Sequence, residues 1–168
     1  REKVAVIYPG SEHLLSKTPP ERMSASRPYC LFVGYRFAYK NFITVLSAMT
    51  SAAWDPQLEL HVIGEPFLLT ELLLIKSMGL EGRVRHLGKL SDAALAEAYG
   101  NCAMFVFPSL AEGFGIPVLE AQSCGAPLAC SDIPVFREIA GDAAEFFNAL
   151  DPESLAAAIG RCLTKGRT

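Results

Sequence analysis

The chain has 168 residues, of which 51% are hydrophobic and 20% are charged. This length predicts one domain with a substantial core, and the composition excludes an intrinsically disordered chain. The formal net charge of -3 gives no indication of a nucleic acid or an anionic membrane as the main partner. The first residue is not Met, and the last residues follow directly on a helical pattern. We therefore expect the chain to be one domain of a longer protein.

The cysteine pattern predicts reduced thiols. The number of cysteines is odd and none of them forms a Cys-x-x-Cys pair, which is typical of buried thiols in a cytosolic protein and not of disulfides or a zinc site. No cluster of His, Cys or Asp has metal-ligand spacing, so no metal site is predicted. The cysteines are Cys30, Cys102, Cys124, Cys130 and Cys162.

Apolar runs recur along the chain at intervals that predict strands. Several of them are continuous and not alternating, which is typical of strands buried on both faces of a parallel sheet. The predicted strands are Val4–Tyr8, Tyr29–Val33, Leu58–Ile63, Val84–Leu87, Met104–Phe107, Leu128–Ser131 and Glu145–Phe147.

Helical patterns lie between these runs, over Asn41–Ala53, Phe67–Met78 and Asp92–Gly100, and from Asp151 to about Leu163. This regular alternation predicts an α/β domain with a Rossmann-like, doubly wound parallel sheet. Residues 1–28 are predicted to form a lead-in strand and a linker loop, and residues 29–168 the core. Ligands of such sheets bind beyond the carboxyl ends of the strands, so we expect the binding residues in the loops that follow the strands.

The loop after the Tyr29–Val33 strand carries two cations. Lys40 lies near the start of the next helix, where the helix dipole disfavours a positive charge. A bound phosphate would remove this conflict and would also attract Arg36. A solvated basic loop is the alternative. The single Gly34 forms neither a Gly-x-Gly-x-x-Gly nor a Walker motif, so a dinucleotide or P-loop site is not indicated.

The loop after Met104–Phe107 carries two carboxylates, Glu112 and Glu120, with seven residues between them. Gly113 and Gly115 permit a positive φ, and Pro117 suits the first turn of a helix. The two acids can accept hydrogen bonds from ligand hydroxyls, whereas an ordinary strand-to-helix turn is the alternative.

Two histidines belong to the predicted strands. His61 fits a core position. His86 stands near the carboxyl end of its strand, where it can border a bound base.

These residues together resemble the C-terminal, donor-binding domain of family 4 retaining glycosyltransferases, which have the GT-B fold. The matching motifs are Gly34-x-Arg36-x-x-Tyr39-Lys40-Asn41-Phe42, Val84-x-His86-Leu87-Gly88, Pro108-Ser109-x-x-Glu112-Gly113-Phe114-Gly115, the Glu112/Glu120 pair and, further on, Pro134-x-x-Arg137-Glu138-Ile139-x-Gly141-Asp142-Ala143. The likeness covers nearly the whole chain. Two positions depart from the family pattern: Tyr35 stands between Gly34 and Arg36, and Ala111 stands where an aromatic residue is common.

The resemblance implies a role for each motif. Arg36 and Lys40 would neutralise the donor diphosphate, and Glu112 would bind donor-sugar hydroxyls; these three are the expected catalytic residues. Glu120 would bind the nucleotide ribose. The donor-binding set is completed by Gly34, by His86 and Leu87 beside the base, and by the backbone N–H groups of Gly113, Phe114, Gly115 and Ile116.

The implied reaction transfers a hexose from a nucleoside-diphosphate sugar to an acceptor hydroxyl in glycan or polysaccharide synthesis, with the anomeric configuration retained. It uses no metal, no cofactor and no protein nucleophile. The Tyr39-Lys40-Asn41-Phe42 motif resembles members that add mannose or related sugars.

The resemblance also implies an N-terminal acceptor domain that this chain lacks, so we expect little or no turnover from the chain alone. The expected partners are a nucleotide sugar and that missing domain, in the cytoplasm or at the inner face of a membrane that the missing domain contacts. A non-catalytic nucleotide-sugar-binding module, another Rossmann-like enzyme such as an NAD-dependent one, and a purely structural domain are the competing interpretations.

Overall fold

The structure is a computed structural model that describes residues 27–165, so the predicted strand Val4–Tyr8 lies outside the described residues. Strands and helices alternate, with short 3₁₀ turns at Ala38–Lys40 and Gly141–Ala143. The elements are β1 (Tyr29–Val33), α1 (Phe42–Ala48), β2 (Glu59–Ile63), α2 (Leu69–Ser77), β3 (Val84–Gly88), α3 (Asp92–Asn101), β4 (Met104–Phe107), α4 (Ile116–Ser123), β5 (Leu128–Ser131), α5 (Pro134–Ala140), β6 (Ala144–Phe147) and α6 (Pro152–Lys165).

The sheet has six strands in the order β3-β2-β1-β4-β5-β6, and all neighbouring strands are parallel. This order confirms the predicted doubly wound α/β domain. The connections run one way from β1 to β3 and the other way from β4 to β6. The loops that follow β1 and β4 therefore diverge, which opens a crevice at the carboxyl end of these two central strands.

The core lies on both faces of the sheet because neighbouring residues of each strand point to opposite sides. Phe32 and Leu60 pack with α1, α2 and α6 on one face. Leu31 and Phe105 pack with α3, α4 and α5 on the other face. Both layers are needed to bury the continuous apolar runs that predicted the strands.

Two helices are shorter than predicted. Helix α1 ends at Ala48 and not at Ala53, because Thr50 and Ser51 donate to carbonyls three residues back and the chain turns there. Helix α2 begins at Leu69 and not at Phe67, whose ring packs against the core ahead of the helix.

Helix α5 was not predicted, since Pro134–Ala140 was interpreted only as part of a motif. Its first residue is Pro134, in the first turn where proline is tolerated, and Phe136 is its fully buried anchor. That proline was the signal in the sequence that would have indicated the helix.

All five cysteines are free, and Cys30, Cys102 and Cys130 are buried. Burial raises the pKa of the Cys30 thiol well above its usual value, and it raises the pKa of Cys130 to about 12. These side chains therefore act as small apolar core residues, as their context in the sequence predicted.

Glycines at the carboxyl ends of β1, β2 and β3 let three chain segments approach closely. The N–H of Gly34 donates to the Ile63 carbonyl at 3.0 Å, and the N–H of Gly64 donates to the Gly88 carbonyl at 3.0 Å. Gly64 has a φ of 139°, and a Cβ on it would lie 2.6 Å from the Gly34 carbonyl oxygen. Only glycine fits at this position.

We predict that Gly64→Ala lowers the free energy of unfolding by about 2 kcal/mol or more, because the new methyl group meets backbone and the φ is strained. Urea denaturation measures the change. Gly82→Ala is the matched control, since a Cβ there would meet nothing within 4 Å. Equal stability of the two variants would contradict the close approach of these strand ends.

Candidate functional site

The loops after β1 and β4 are joined by Asn41. Its amide nitrogen donates to the Pro108 carbonyl at 3.1 Å and to the Ala149 carbonyl at 2.7 Å, while its own Oδ1 accepts from the Thr44 hydroxyl at 2.8 Å. Asn41 is buried and adopts a left-handed conformation with a φ of 53°. Asparagine tolerates this conformation better than most residues, which explains its place between the 3₁₀ turn and α1.

A backbone bond reinforces the same junction, since the Leu110 N–H donates to the Tyr39 carbonyl at 2.7 Å. Lys40 and Glu112 are thereby brought together across the crevice although 72 positions separate them. The crevice at the switch in strand order is therefore lined by the cationic and the acidic loop, as the sequence predicted.

Lys40 and Glu112 form a close ion pair. Lys40 Nζ donates to Glu112 Oε1 at 2.6 Å, and the two side chains are only 13% and 11% exposed. Nζ also lies 4.8 Å from the centre of the Phe107 ring. Because water is largely excluded, the attraction between these charges is stronger than at an open surface.

Arg36 has a different carboxylate partner from Lys40. Its Nε donates to Glu71 Oε1 at 2.7 Å and its Nη2 to Glu71 Oε2 at 3.1 Å, while Nη2 also donates to the Pro66 carbonyl at 2.7 Å. The Arg36 side chain is 4% exposed and lies over the Phe67 ring. The two cations predicted to act together thus contact loops on opposite sides of β1.

Glu71 was missed in the sequence. Its position in the first turn of α2 is explained by capping alone, since its carboxylate accepts from the Leu68 N–H at 2.7 Å. Nothing local in the sequence links it to Arg36, which lies 35 positions away.

Glu120 lies in α4 and accepts a hydrogen bond from the hydroxyl of Tyr99 at 3.1 Å. Tyr99 is a fully buried residue of α3. Burial and the nearby Glu120 charge raise the pKa of Tyr99 well above its ordinary value, so its hydroxyl keeps the proton and acts as donor. Tyr99 was also missed, although a tyrosine in an apolar helix face requires a partner for its hydroxyl.

The glycine turn uses one of the two glycines as the sequence suggested, because Gly115 has a positive φ and Gly113 does not. Gly115 precedes α4 with a φ of 99°, and a Cβ there would lie 2.9 Å from the Phe136 ring. Gly113 and Ile116 are exposed, and Phe114 is half-buried. This loop leaves backbone at the edge of the crevice, within the same turn that carries Glu112.

His86 and Leu87 do not form one surface, because they are successive residues of β3 and point to opposite sides. His86 Nε2 lies 3.0 Å from the Gly64 carbonyl oxygen and its ring is 5.3 Å from that of Phe67. His86 borders a cavity of about 510 Å³ on the α2 side of the sheet. Leu87 is 38% exposed.

Two further observations concern the part of the chain that the structure describes. Among residues 27–165, no group of three His, Cys, Asp or Glu side chains is placed to hold a metal ion. No helix in this range is long and apolar enough to cross a membrane.

The six-stranded parallel sheet is a Rossmann-like fold that matches one half of GT-B structures. Residues 18–168 match the family model described as "Glycosyl transferases group 1". This match covers most of the chain, and the chain belongs to that family.

Relatives in the same family include O-antigen mannosyltransferases. The chain is 32% identical over 135 residues to O-antigen chain mannosyltransferase B of Escherichia coli, which covers 78% of this chain and 35% of the relative. It is 28% identical over 160 residues to O-antigen chain mannosyltransferase RfbU of Salmonella typhimurium, covering 94% of this chain and 44% of the relative. The chain thus spans less than half the length of these relatives.

Solved structures share the fold. The Anabaena protein HepE, crystallised in complex with UDP and glucose, superimposes with a TM-score of 0.83 at 24% identity. The likeness covers 97% of this chain and 48% of HepE. The fold of this chain thus corresponds to about half of HepE.

We predict that Asn41→Ala lowers the free energy of unfolding by about 1–3 kcal/mol, because the buried Pro108 carbonyl loses this donor, while the Ala149 carbonyl keeps the Thr44 hydroxyl. The variant is also expected to separate the Lys40 loop from the Glu112 loop. Asn101→Ala is the control. Among residues 27–165, the hydrogen bond of the Asn101 amide is to the Glu97 carbonyl in its own helix. Urea denaturation of both variants tests the prediction, and similar losses would contradict the special role of Asn41.

Proposed function

We propose that this chain is the donor-binding half of a retaining glycosyltransferase, which transfers a hexose, with mannose as the first candidate, from a nucleoside-diphosphate sugar to an acceptor hydroxyl in glycan or polysaccharide synthesis. The observation that carries the proposal is the ion pair between Lys40 and Glu112 at the switch point of the sheet. In the donor, the anomeric bond joins the diphosphate to the sugar. The ion pair places a cation that suits the diphosphate directly beside a carboxylate that suits the sugar hydroxyls.

Lys40 is proposed to bind the diphosphate. Its Nζ carries three donors, of which one is directed at Glu112, so others remain for phosphate oxygens. When the bond to the sugar breaks, negative charge grows on the leaving diphosphate. A cation held in a water-poor site stabilises that charge without having to reorganise.

Glu112 is proposed to bind the donor sugar. Its Oε1 receives Lys40, and a carboxylate has further lone pairs that can accept from sugar hydroxyls. The backbone of Gly113 to Ile116, of which Gly113 and Ile116 are exposed, follows in the same turn and is proposed to contact the sugar and the phosphates. In this reaction Glu112 orients the sugar and is not a nucleophile.

Arg36 is proposed as the second group that binds the diphosphate. In this structure its Nε and Nη2 are engaged by Glu71 and the Pro66 carbonyl and its Nη1 is buried, so the side chain has to rotate away from Glu71 to reach a phosphate oxygen. Gly34, directly before this loop, has no Cβ to obstruct a ligand at the end of β1.

Glu120 is proposed to accept hydrogen bonds from the ribose hydroxyls, with Tyr99 fixing its carboxylate. The base would then lie beyond the carboxyl end of β3, where Leu87 is exposed and His86 borders the neighbouring cavity. No group proposed here requires a metal or an organic cofactor.

Mannose is favoured by the relatives that the chain resembles, since both O-antigen relatives are named as mannosyltransferases. The chain covers only 35% and 44% of their lengths. An N-terminal domain of the same protein is therefore proposed to bind the acceptor and to close over the donor.

A thermal-shift panel of GDP-mannose, GDP, UDP-glucose, UDP, ADP-glucose and ADP tests the proposal directly. We expect stabilisation by one nucleoside diphosphate and by its sugar, because a ligand that binds only the folded state raises the melting temperature. A chain that responds to none of the six would contradict the proposal. Donor binding without sugar transfer by the protein that contains both domains would favour a non-catalytic binding module.

We predict that Lys40→Met weakens binding of the preferred nucleoside diphosphate by at least about tenfold, or 1.4 kcal/mol, while binding of the nucleoside changes little. Titration calorimetry measures both affinities. Arg161→Met removes the same charge from α6, where Arg161 contacts Glu145 of β6, and serves as control. Equal losses for the two ligands would contradict the phosphate role.

We predict that Tyr99→Phe reduces the preference for ribose over 2′,3′-dideoxyribose in the bound nucleotide by about three- to tenfold, or about 0.7–1.4 kcal/mol, since the Glu120 carboxylate is less firmly held without this hydrogen bond. Glu120→Ala should abolish that preference. Tyr29→Phe is the control: Tyr29 is also buried, and its hydroxyl donates to the Ala98 carbonyl at 2.9 Å. Unchanged discrimination in Tyr99→Phe would refute the positioning of Glu120.

A further inference from the structure

The loops after β4, β5 and β6 surround a second cavity at the carboxyl edge of the sheet. Its volume is about 420 Å³, within the range of roughly 300–1,000 Å³ that is typical of small-molecule sites. The residues that line it all follow closely on the end of one of these three strands. They are Leu110, Asp132, Ile133, Asn148, Ala149 and Leu150. The cavity therefore lies at the edge where ligands of such sheets bind.

The side chains that line this cavity are accessible. The Asp132 side chain is 49% exposed, and Leu110 and Leu150 are exposed as well. Asn148 is also exposed, and Ile133 is half-buried. A ligand can therefore contact these side chains in the conformation that the structure shows.

Asp132 is a fixed hydrogen-bond acceptor in the cavity. Arg137 Nε donates to Asp132 Oδ1 and Arg137 Nη2 donates to Asp132 Oδ2, both at 2.7 Å, which holds the carboxylate in one orientation. The Arg137 guanidinium also lowers the pKa of Asp132, so the carboxylate is charged at neutral pH. Each carboxylate oxygen keeps a further lone pair that can accept a hydrogen bond from a ligand.

Asn148 is an oriented hydrogen-bond donor in the same cavity. Its Oδ1 accepts from the Leu150 N–H at 3.0 Å, so the amide cannot be turned around without losing this bond. The backbone N–H of Asn148 donates to the Ser154 hydroxyl at 3.0 Å, which anchors the loop to α6. Within residues 27–165, the Asn148 Nδ2 has no hydrogen-bond partner, so its two N–H donors are left for a ligand.

This combination of groups matches a sugar ring. Sugar hydroxyls both donate and accept, so they can bond to the Asp132 carboxylate and to the Asn148 amide. The C–H groups of the ring need apolar neighbours, which Leu110, Ile133 and Leu150 supply. A purely apolar ligand would cover the Asp132 charge without compensating it, and a phosphate would be repelled by that charge.

The cavity begins where the proposed donor site ends. Leu110 lies two residues before Glu112, and the amide of Asn41, the residue after Lys40, donates to the Ala149 carbonyl at 2.7 Å. Along the edge of the sheet, the base is proposed to lie beyond β3, Lys40 follows β1 and Glu112 follows β4, while β5 and β6 come next. A second sugar in the cavity would thus lie beside the donor sugar, on the side away from the nucleotide.

We propose that this cavity binds a sugar residue of the acceptor, with Asp132 and Asn148 as its hydrogen-bonding groups. The assignment of this sugar to the acceptor rests on the proposed function. The acceptor is then a molecule that already carries a sugar, and this chain contributes to its recognition together with the proposed N-terminal domain. Asp132 and Asn148 bind the acceptor and do not take part in the transfer itself.

Nuclear magnetic resonance of the isotope-labelled chain tests the proposal. The chain is saturated with the nucleotide sugar that it prefers among GDP-mannose, UDP-glucose and ADP-glucose, so that the donor-sugar position is occupied. The methyl glycosides of mannose, glucose, galactose and N-acetylglucosamine are then titrated. We expect at least one of them to shift the side-chain amide signals of Asn148 and the backbone signal of Asp132 in a saturable manner. A glycoside that binds only when the nucleotide sugar is absent would occupy the donor-sugar position and would contradict the proposal.

Asp132→Asn and Asn148→Ser are the test variants. Asparagine keeps the shape of Asp132 and removes its charge, and the serine hydroxyl can still accept from the Leu150 N–H, so the turn is retained. The backbone signal of Leu150 reports binding in both variants. We expect each variant to weaken glycoside binding at least about threefold and to change the affinity for the nucleotide sugar less than about twofold.

Glu145→Gln is the matched control. Glu145 is likewise paired with an arginine, since Arg161 Nε donates to its Oε2 at 2.9 Å, but Glu145 does not line the cavity. This variant should keep the wild-type affinities for the glycoside and for the nucleotide sugar. Melting temperatures of all variants establish that each is folded at the temperature of the titration.

The absence of a saturable shift with all four glycosides would overturn the inference, and so would equal glycoside affinities of the test variants and the wild type. In both cases a wild type that binds its nucleotide sugar leaves the proposed function standing. If the wild type binds none of the three nucleotide sugars, the proposed function fails, and the assignment of the cavity to an acceptor sugar fails with it.

Discussion

The hydrogen bonds of the Asn41 amide are the constraint on which the rest of the crevice depends. At the point where the strand order reverses, the loops after β1 and β4 diverge, and nothing in the sheet itself holds them at a fixed separation. Asn41 connects them by donating to the carbonyls of Pro108 and Ala149. Its left-handed conformation also ends the 3₁₀ turn that carries Lys40 and begins α1. The Asn41 bond to Pro108 and the backbone bond from Leu110 to Tyr39 therefore set the distance at which Lys40 meets Glu112.

Charge in this crevice is organised in pairs. Lys40 is paired with Glu112 and Arg36 with Glu71, and each side chain is largely removed from water. Two unpaired cations in such a place would be costly without a ligand, because burial penalises an isolated charge. Pairing keeps the empty site stable and leaves oriented donors for an anion. The same logic applies to Glu120, whose carboxylate is held by a buried tyrosine hydroxyl that keeps its proton.

Membership of the group 1 glycosyltransferases agrees with these features, and the chain spans less than half the length of the two O-antigen relatives. The crevice is formed by one domain only. The proposed N-terminal domain would exclude water from the donor and present the acceptor, so the proposed reaction is assigned to the protein that contains both domains. Donor recognition, by contrast, is proposed to rest on residues that are all within this chain.

The sequence by itself determined the class of fold and the loops that matter, because continuous apolar runs and helix signals are local properties of the chain. It also indicated that Gly115 can adopt the positive φ found at the turn before α4, because few residues other than glycine adopt that conformation. It missed α5, whose single proline signal was interpreted as a motif, and it placed the ends of α1 and α2 incorrectly because tertiary packing decides helix ends. Only the tertiary structure decided which of these polar side chains contact each other. Arg36 with Glu71, Lys40 with Glu112 and Tyr99 with Glu120 are contacts between residues 21 to 72 positions apart, and such distances are set by the order of the strands and not by any local pattern.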